Sequence, residues 1–484
     1  MSESPTTKII SDLTKKIHTS SPMKDSVYEE ASNYFSQVST VEEQRETYKN
    51  QLLTAEKNLA KNTNKDQEKT LKKKQKDCLV NIKKFESELE NQRLERVQKL
   101  NNICVEILSL CTGVNSNDTN KKFAKLLGTL SLRMPESNNV SLQYNKQCKH
   151  LYQAVLSLKL LDQLIADKLM SNKYIMEKHL QSDKEKDASF KNEVQIPLLC
   201  TVLMQNVGLL HPHAQQILKG ESGEKDEFRV LDKEERLALL KYNYQQSSHY
   251  IKEALGLDKY SGNSKEERDT FNKKEKEKIS FILTLLKTAL KPKQSIGNLL
   301  KVPEIYTSIV MPTKRDYDYA AIPRVFQMMD NAVERGVLSK AVVNSLLKIT
   351  GVFPQGYGIT YIPKSDDGYD LDTYEYAIVN SLYPKKPQNP TCRIATKNLI
   401  FNASGMDFCI EPDNNLYFAH ARKKLWKVNP ERLKEILSKL WSNYEVRQEQ
   451  FELIPRCWFP HEFFSLEKQQ NIWNKTMPNH EEKK

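Results

Sequence analysis

From Asp25 to Cys111 the chain contains neither glycine nor proline. These are the two residues that most readily interrupt a helix, so the stretch is restricted to long unbroken helices. Its apolar residues fall at Ile82, Phe85 and Leu89, then change phase to Val97, Leu100, Cys104, Ile107 and Cys111, and the interval from Asn58 to Lys76 is polar. One continuous coiled coil would keep its phase. The pattern predicts a helical hairpin or short bundle over residues 23–135, an arm that either associates with a protein partner or second copy or packs on its own chain.

The remainder reads as a succession of units, as 484 residues require. Residues 1–22 are polar and aperiodic and read as a disordered tail. Over 136–350 helix follows helix: His150 to Met170, Val194 to Leu210, Lys233 to Leu255, Lys276 to Leu290 and Ile322 to Thr350, joined by polar connectors such as Ser182 to Asp187 and Asp258 to Lys274. From Gly351 to about residue 420, Gly/Pro punctuation and alternation predict short strands at Ile359 to Ile362, Tyr374 to Val379, Cys392 to Ala395 and Leu399 to Asn402. A helix is expected at Pro430 to Asn443. The aromatic stretch with Trp458, Phe459, Phe463, Phe464 and Trp473 reads as a clasp within a C-terminal tail, 421–484. The fold class expected is mainly α, with the N-terminal hairpin or coiled-coil arm and a small C-terminal β appendage plus helix.

Composition narrows the function classes. The eight cysteines form no C-x-x-C pair and sit among apolar neighbours, which predicts buried thiols in a reducing compartment. No signal-peptide core and no long uninterrupted apolar run are present, so a cytoplasmic protein without a membrane span is expected. The net charge of +12 arises from 74 basic residues interleaved with 62 acidic ones, a mixture that argues against a nucleic-acid surface. The densest basic run, Lys72 to Lys76, is short, and the runs Lys273 to Lys278 and Arg422 to Lys427 that such a surface would use both read as solvated helix faces. There is no G-x-S-x-G and no G-x-x-x-x-G-K, and Cys200 lies on an apolar helix.

A family resemblance appears in the second half. Leu299 to Ala321, LLKVPEIYTSIVMPTKRDYDYAA, resembles the HD-GYP pattern I-L-x-V-A-D-V-Y-D-A-L-x-S-x-R-P-Y-R-x-A through Leu300, Val302, Ile305, Tyr306, Arg315, Tyr317 and Ala320. Gly336 to Gly356 is similar to the family's late helix and its G-x-Y-P-x-G exit. Tyr376 to Val379 and Asn389-Pro390 resemble the β tail that follows. Upstream, Leu203 to Leu218 and Leu231 to Leu257 resemble the helices that carry the HD signature and the next ligand histidine. The agreements run in order over approximately Cys148 to Leu416, and imply an HD-type helical domain of the bacterial cyclic di-GMP phosphodiesterase class.

The residues that would do the chemistry are replaced. HD-family enzymes clamp a phosphodiester with two or more metal ions held by imidazole and carboxylate ligands. Gln205 and Asn206 stand where the resemblance places the His-Asp pair, Leu209 replaces the lysine, Asn243 replaces the following histidine, and Glu304 and Thr307 occupy two aspartate positions. Between Leu257 and Leu299 there is no histidine and no D-G-x-G-Y-P loop. Ser365 to Asp370 (SDDGYD) is a decoy that reads as a hairpin loop.

The expectation is a pseudo-enzyme with a regulatory or protein-interaction role, no cofactor, and a former cleft either filled by side chains or open to a ligand such as a cyclic dinucleotide. Two alternatives are carried. A divergent iron- or manganese-dependent phosphohydrolase would have to use His211, His213, His249 and Glu304, although single histidines and an isolated carboxylate are more commonly hydrogen-bonded surface groups. A nucleotide or nucleic-acid sensor would use the basic runs.

Overall fold

A computed structural model describes residues 4–19, 24–134, 139–185, 188–292, 295–315, 317–398, 400–402, 405–425 and 471–473, with Glu431, Glu435, Ser438 and Lys439. In chain order the α-helices are α1 Pro5–His18, α2 Val27–Ala60, α3 Lys65–Cys111, α4 Ser116–Leu132, α5 Asn139–Ala166, α6 Lys173–Glu185, α7 Ile196–Met204, α8 Pro212–Lys219, α9 Lys233–His249, α10 Lys265–Ala289, α11 Asn298–Val310, α12 Val325–Glu334, α13 Lys340–Thr350 and α14 Ala419–Leu425. The strands are β1 Gly358–Tyr361, β2 Glu375–Val379, β3 Thr391–Ile394, β4 Thr396–Lys397, β5 Ile400–Phe401 and β6 Asp407–Cys409. The mainly helical fold with a small C-terminal sheet is therefore as the sequence predicts. The chain forms two compact units, one of residues 1–14, 105–203 and 284–484, the other of 15–104 and 204–283.

The first unit is organised around α5. Leu151, Tyr152, Ala154, Val155, Leu156, Leu158, Leu160 and Leu161 are all buried. A helix apolar on every face must be surrounded, and α4, α11 and α13 pack against it. β1, β2, β3 and β6 form an antiparallel sheet in that order, with Ile359 opposite Ala377 and Ile378 opposite Arg393. Ile378, Ala395 and Ile472 form a core patch on which Leu132 and Trp473 pack, and the Trp473 indole N–H donates to the Asn380 carbonyl at 2.9 Å. The aromatic clasp is thus present at Trp473. Its other aromatics and the helix expected over Pro430 to Asn443 lie outside the described residues, apart from the four isolated ones.

In the second unit α2 and α3 form the expected hairpin, turning at residues 61–64 within the polar interval, while the phase change between Leu89 and Val97 falls inside the continuous α3. Ser26 and Glu29 close a reciprocal capping box at the start of α2. Val27, Tyr28, Ala31 and Phe35 are buried, yet no side chain from Ser36 to Lys99 is. Over that length two helices share a half-buried seam, with Tyr48 against Phe85 at 5.3 Å between ring centres and Arg45 paired with Glu86 at 2.7 Å.

Several expectations are corrected. The N-terminal residues form α1, in which Ile10, Leu13 and Ile17 are fully buried; their i, i+3, i+7 spacing is that of a helix face and outweighs the polar composition. The arm does not extend to residue 135, since α4 is buried in the first unit. Ile322 to Thr350 is divided into a 3-10 turn, α12 and α13, because Gly336 adopts φ +70°. Part of the connector Asp258 to Lys274 is helical, α10 starting at Lys265. Consecutive domains are replaced by two units of interleaved segments.

Cys104, Cys111, Cys148, Cys200 and Cys392 are buried thiols as expected, while Cys78 and Cys409 are half-buried. Ser365 to Asp370 is a hairpin loop, with Gly368 at φ +83° and Lys364 bridged to Asp370. Lys191–Leu210 is the one described helical stretch long and apolar enough to cross a membrane, and 72% of that window is buried within the protein.

Candidate functional site

Gln205, Asn206, Leu209 and Asn243 belong to the second unit and Glu304 and Thr307 to the first. In the second unit the chain leaves α7 at Gln205 and tightens into a 3-10 turn, Val207–Leu210, that packs on α9. Gly208 makes this approach possible: a β-carbon there would collide with the Asn243 carbonyl and stand 2.9 Å from the Ser247 nitrogen. The backbone N–H of Gly208 donates to Ser247 Oγ at 2.9 Å, and that hydroxyl lies 3.2 Å from both the Gln205 carbonyl and Asn243 Oδ1. Asn243 Nδ2 donates to the Gln205 carbonyl at 2.9 Å and reaches Asn206 Oδ1 at 3.5 Å.

Asn243, Asn206 and Ser247 are therefore joined around the main-chain carbonyl of Gln205, while the Gln205 side-chain nitrogen is buried without a hydrogen-bond partner. Gln205 and Asn243 are each 8% exposed. A neutral network of this kind offers no anionic ligand to a metal. Ser247 and Gly208, which hold it together, were not singled out by the sequence, since a serine and a glycine carry no signal until their neighbours are known.

The three histidines do come into one neighbourhood. Burial first, and then His213 and His249, hold the His211 imidazole below its ordinary pKa. Each ring is nevertheless taken up by other contacts. His211 caps α8, its Nδ1 accepting from the His213 backbone N–H at 3.1 Å, and the Tyr242 hydroxyl approaches the same nitrogen at 3.0 Å. His213 packs edge-on to Tyr242, with ring centres 4.9 Å apart, and His249 faces Tyr34. Phe35, Tyr34 and Tyr250 complete an aromatic cluster. Among the described residues no group of three or more His, Cys, Asp or Glu side chains is placed to hold a metal ion.

In the first unit Thr307 is fully buried on α11. Its hydroxyl lies 2.8 Å from the carbonyl of Pro303, a residue inside the helix, and accepts from Gln153 Nε2 on α5 at 2.8 Å. Glu304 is salt-bridged to Lys301 at 3.1 Å, one turn earlier. Thr307 is thus engaged within the helical core and Glu304 in a half-buried ion pair.

The basic runs are partly neutralised. Lys278 pairs with Glu275, Lys424 pairs with Asp370 at 2.6 Å, and Arg422 donates to the carbonyls of Leu416 and Tyr417. Lys427 lies outside the described residues.

A cleft of about 530 Å³ opens in the second unit along α2, α3 and the π-turn Tyr250–Leu255 that extends α9. Arg45, Arg93 and Arg96 face it, but each is engaged: with Glu86, with Glu90 and the carbonyls of Leu255 and Leu257, and with the Ala254 carbonyl beneath the Tyr34 ring. Glu42, Glu95 and Glu253 also line the cleft and leave it acidic. The change of stripe phase between Leu89 and Val97 was its only trace in the sequence. No family model matches the chain, and no curated protein or solved structure is significantly similar to it.

Proposed function

We propose that this chain is a non-catalytic, HD-GYP-like regulatory protein, a pseudo-phosphodiesterase of the bacterial cytoplasm whose helical core is a platform and whose α2–α3 arm engages a protein partner or a second copy. The observation that supports the non-catalytic reading is the neutral network of Asn206, Asn243, Ser247 and the Gln205 carbonyl, at residues that the resemblance aligns with the charged ligands of a two-metal phosphodiesterase. The partner-binding reading is supported by the arm: its apolar seam is only half-buried, and Leu53 and Val80 are 48% and 53% exposed. A further helix laid along the seam would complete its burial. The carboxylates of the cleft favour a partner that is basic there.

Hydrolysis is the direct test. Full-length protein incubated with cyclic di-GMP and added Mn²⁺ or Fe²⁺ is expected to leave the dinucleotide intact. Release of linear dinucleotide or GMP in proportion to protein concentration would overturn the proposal.

A further inference from the structure

The α2–α3 arm has a seam and two flanks. On α2 the half-buried positions step alternately by three and four residues from Val38 to Leu59, and on α3 from Leu71 to Leu89, with Glu86 added by its pair with Arg45. That is the a/d seam of an antiparallel coiled coil. With the seam counted in this way, Leu53 takes a b position and Leu79 an e position, and in an antiparallel pair the b and e positions of both helices share one flank. The Arg45–Glu86 pair fixes the register, so that both leucines stand at one level, about two helical turns nearer the turn at residues 61–64. Both are exposed.

Charge on this flank is segregated about the two leucines. Towards the turn stand Lys65, Lys69 and Lys72, and towards the body of the unit Glu42, Glu46, Glu86 and Glu90. Next to the leucines the signs are mixed, with Lys49 and Lys83 on the body side and Glu56 and Lys76 on the other. The spacings on the two sides match. Glu46 and Lys72 each lie about 10 Å along the arm from the leucines, and Glu42 and Lys69 about 15 Å, in opposite directions. Glu86 and Glu90 are paired with Arg45 and Arg93, and Lys72 with Glu68, whereas Glu42, Glu46 and Lys69 hold no ion pair among the described residues. One arm therefore carries, on one face, both halves of a charge pattern that is complementary to itself when turned end for end.

We propose that two copies of this chain associate through this flank, antiparallel and about a two-fold axis at Leu53 and Leu79, with the basic end of each arm on the acidic end of the other. The proposal rests on the reading of α2–α3 as a binding arm and makes a second copy its occupant. A two-fold axis brings each axial residue to its own counterpart, so the four exposed leucines bury one another. Glu46 then faces Lys72 of the partner subunit, and Glu42 faces Lys69 of the partner subunit. The reverse arrangement, with the arms side by side and turn to turn, would oppose lysine to lysine. From Glu42 to the turn the arm is about 33 Å long and two helices, about 20 Å, wide, so each copy covers about 650 Å². The total of about 1,300 Å² lies at the lower end of the range for stable interfaces, which makes the dimer one that dissociates on dilution.

Sedimentation equilibrium of the full chain tests the association. A monomer–dimer equilibrium is expected, with the dissociation constant rising about tenfold between low and high salt. Leu53→Glu with Leu79→Glu gathers carboxylates on the axis and should raise it about a hundredfold. Glu42→Lys with Glu46→Lys, and separately Lys69→Glu with Lys72→Glu, should each leave the chain monomeric. An equimolar mixture of those two proteins should dimerise again, because every reversed contact is then attractive, a recovery that damage to the fold could not produce. The proposal is overturned by a parent that is monomeric throughout, by a dimer indifferent to the reversals, or by a mixture that stays monomeric. A monomeric parent leaves the non-catalytic reading standing, whereas hydrolysis of cyclic di-GMP by a salt-sensitive dimer would overturn that reading alone.

Discussion

Gly208 packs directly on the Asn243 carbonyl, so closely that a β-carbon at position 208 would collide with it. The obstruction is backbone on both sides, so it is not relieved by turning a side chain. Gly208→Ala should therefore separate the 3-10 turn from α9 and cost about 1–3 kcal/mol. Asn243→Ala should cost a similar amount, about 1–3 kcal/mol, because it removes the amide that joins α9 to the buried Gln205 carbonyl. Urea denaturation measures both. A Gly208→Ala protein as stable as the parent would show that the turn and helix are not in contact as described.

Arg93 ties the end of the π-turn to α3. Its guanidinium grips both oxygens of Glu90 at 2.7 Å and donates to the carbonyls of Leu255 and Leu257, around Gly256 at φ +61°. A lysine offers one charged nitrogen where four acceptors must be reached. Arg93→Lys is expected to lose about 1–3 kcal/mol and to speed hydrogen exchange at residues 250–257. Full rescue by lysine would contradict a role for the planar fork.

Two half-buried groups of opposite sign contribute to the acid dependence of stability. His150 is pushed down to about 3 by burial and by Lys149 and Lys146, against an ordinary 6.5. Between these values the unfolded chain binds the additional proton, so the contribution of His150 is present above pH 6.5 and lost as pH falls towards 3. Asp162 is pushed up by burial, against Lys159, from 3.8 to about 6. Here the folded chain holds the additional proton, so its contribution is present below 3.8 and lost as pH rises through 6. His150→Asn should flatten the fall in unfolding midpoint on acidification, and Asp162→Asn should steepen it. Urea midpoints across the acid range would show this, and parallel profiles for parent and variants would contradict it.

Much of the fold was legible because its signals are local. The absence of glycine and proline over Asp25 to Cys111 and the polar interval Asn58 to Lys76 were enough for the α2–α3 hairpin, and alternation with Gly/Pro punctuation placed β1, β2, β3 and β5 to within a residue or two but missed β4 and β6. Gly336 was legible as a residue but not as a break, because its positive φ is a tertiary outcome. Polar composition concealed α1, whose Ile10, Leu13 and Ile17 form a narrow stripe among hydroxyls and lysines. At the site, the neutral side chains of Gln205, Asn206 and Asn243 could be read directly. That Asn243 and Ser247 would meet the Gln205 carbonyl could not, since it depends on Gly208 admitting α9.

The metal content of the purified full chain tests the central claim most directly. Protein prepared with iron and manganese supplied, and freed of loosely bound ions, should contain far less than one equivalent of either, because the network of Gln205, Asn206, Asn243 and Ser247 presents neutral groups where the resemblance requires charged ligands. About two equivalents of tightly held iron or manganese, the content of a two-metal phosphodiesterase, would contradict the account.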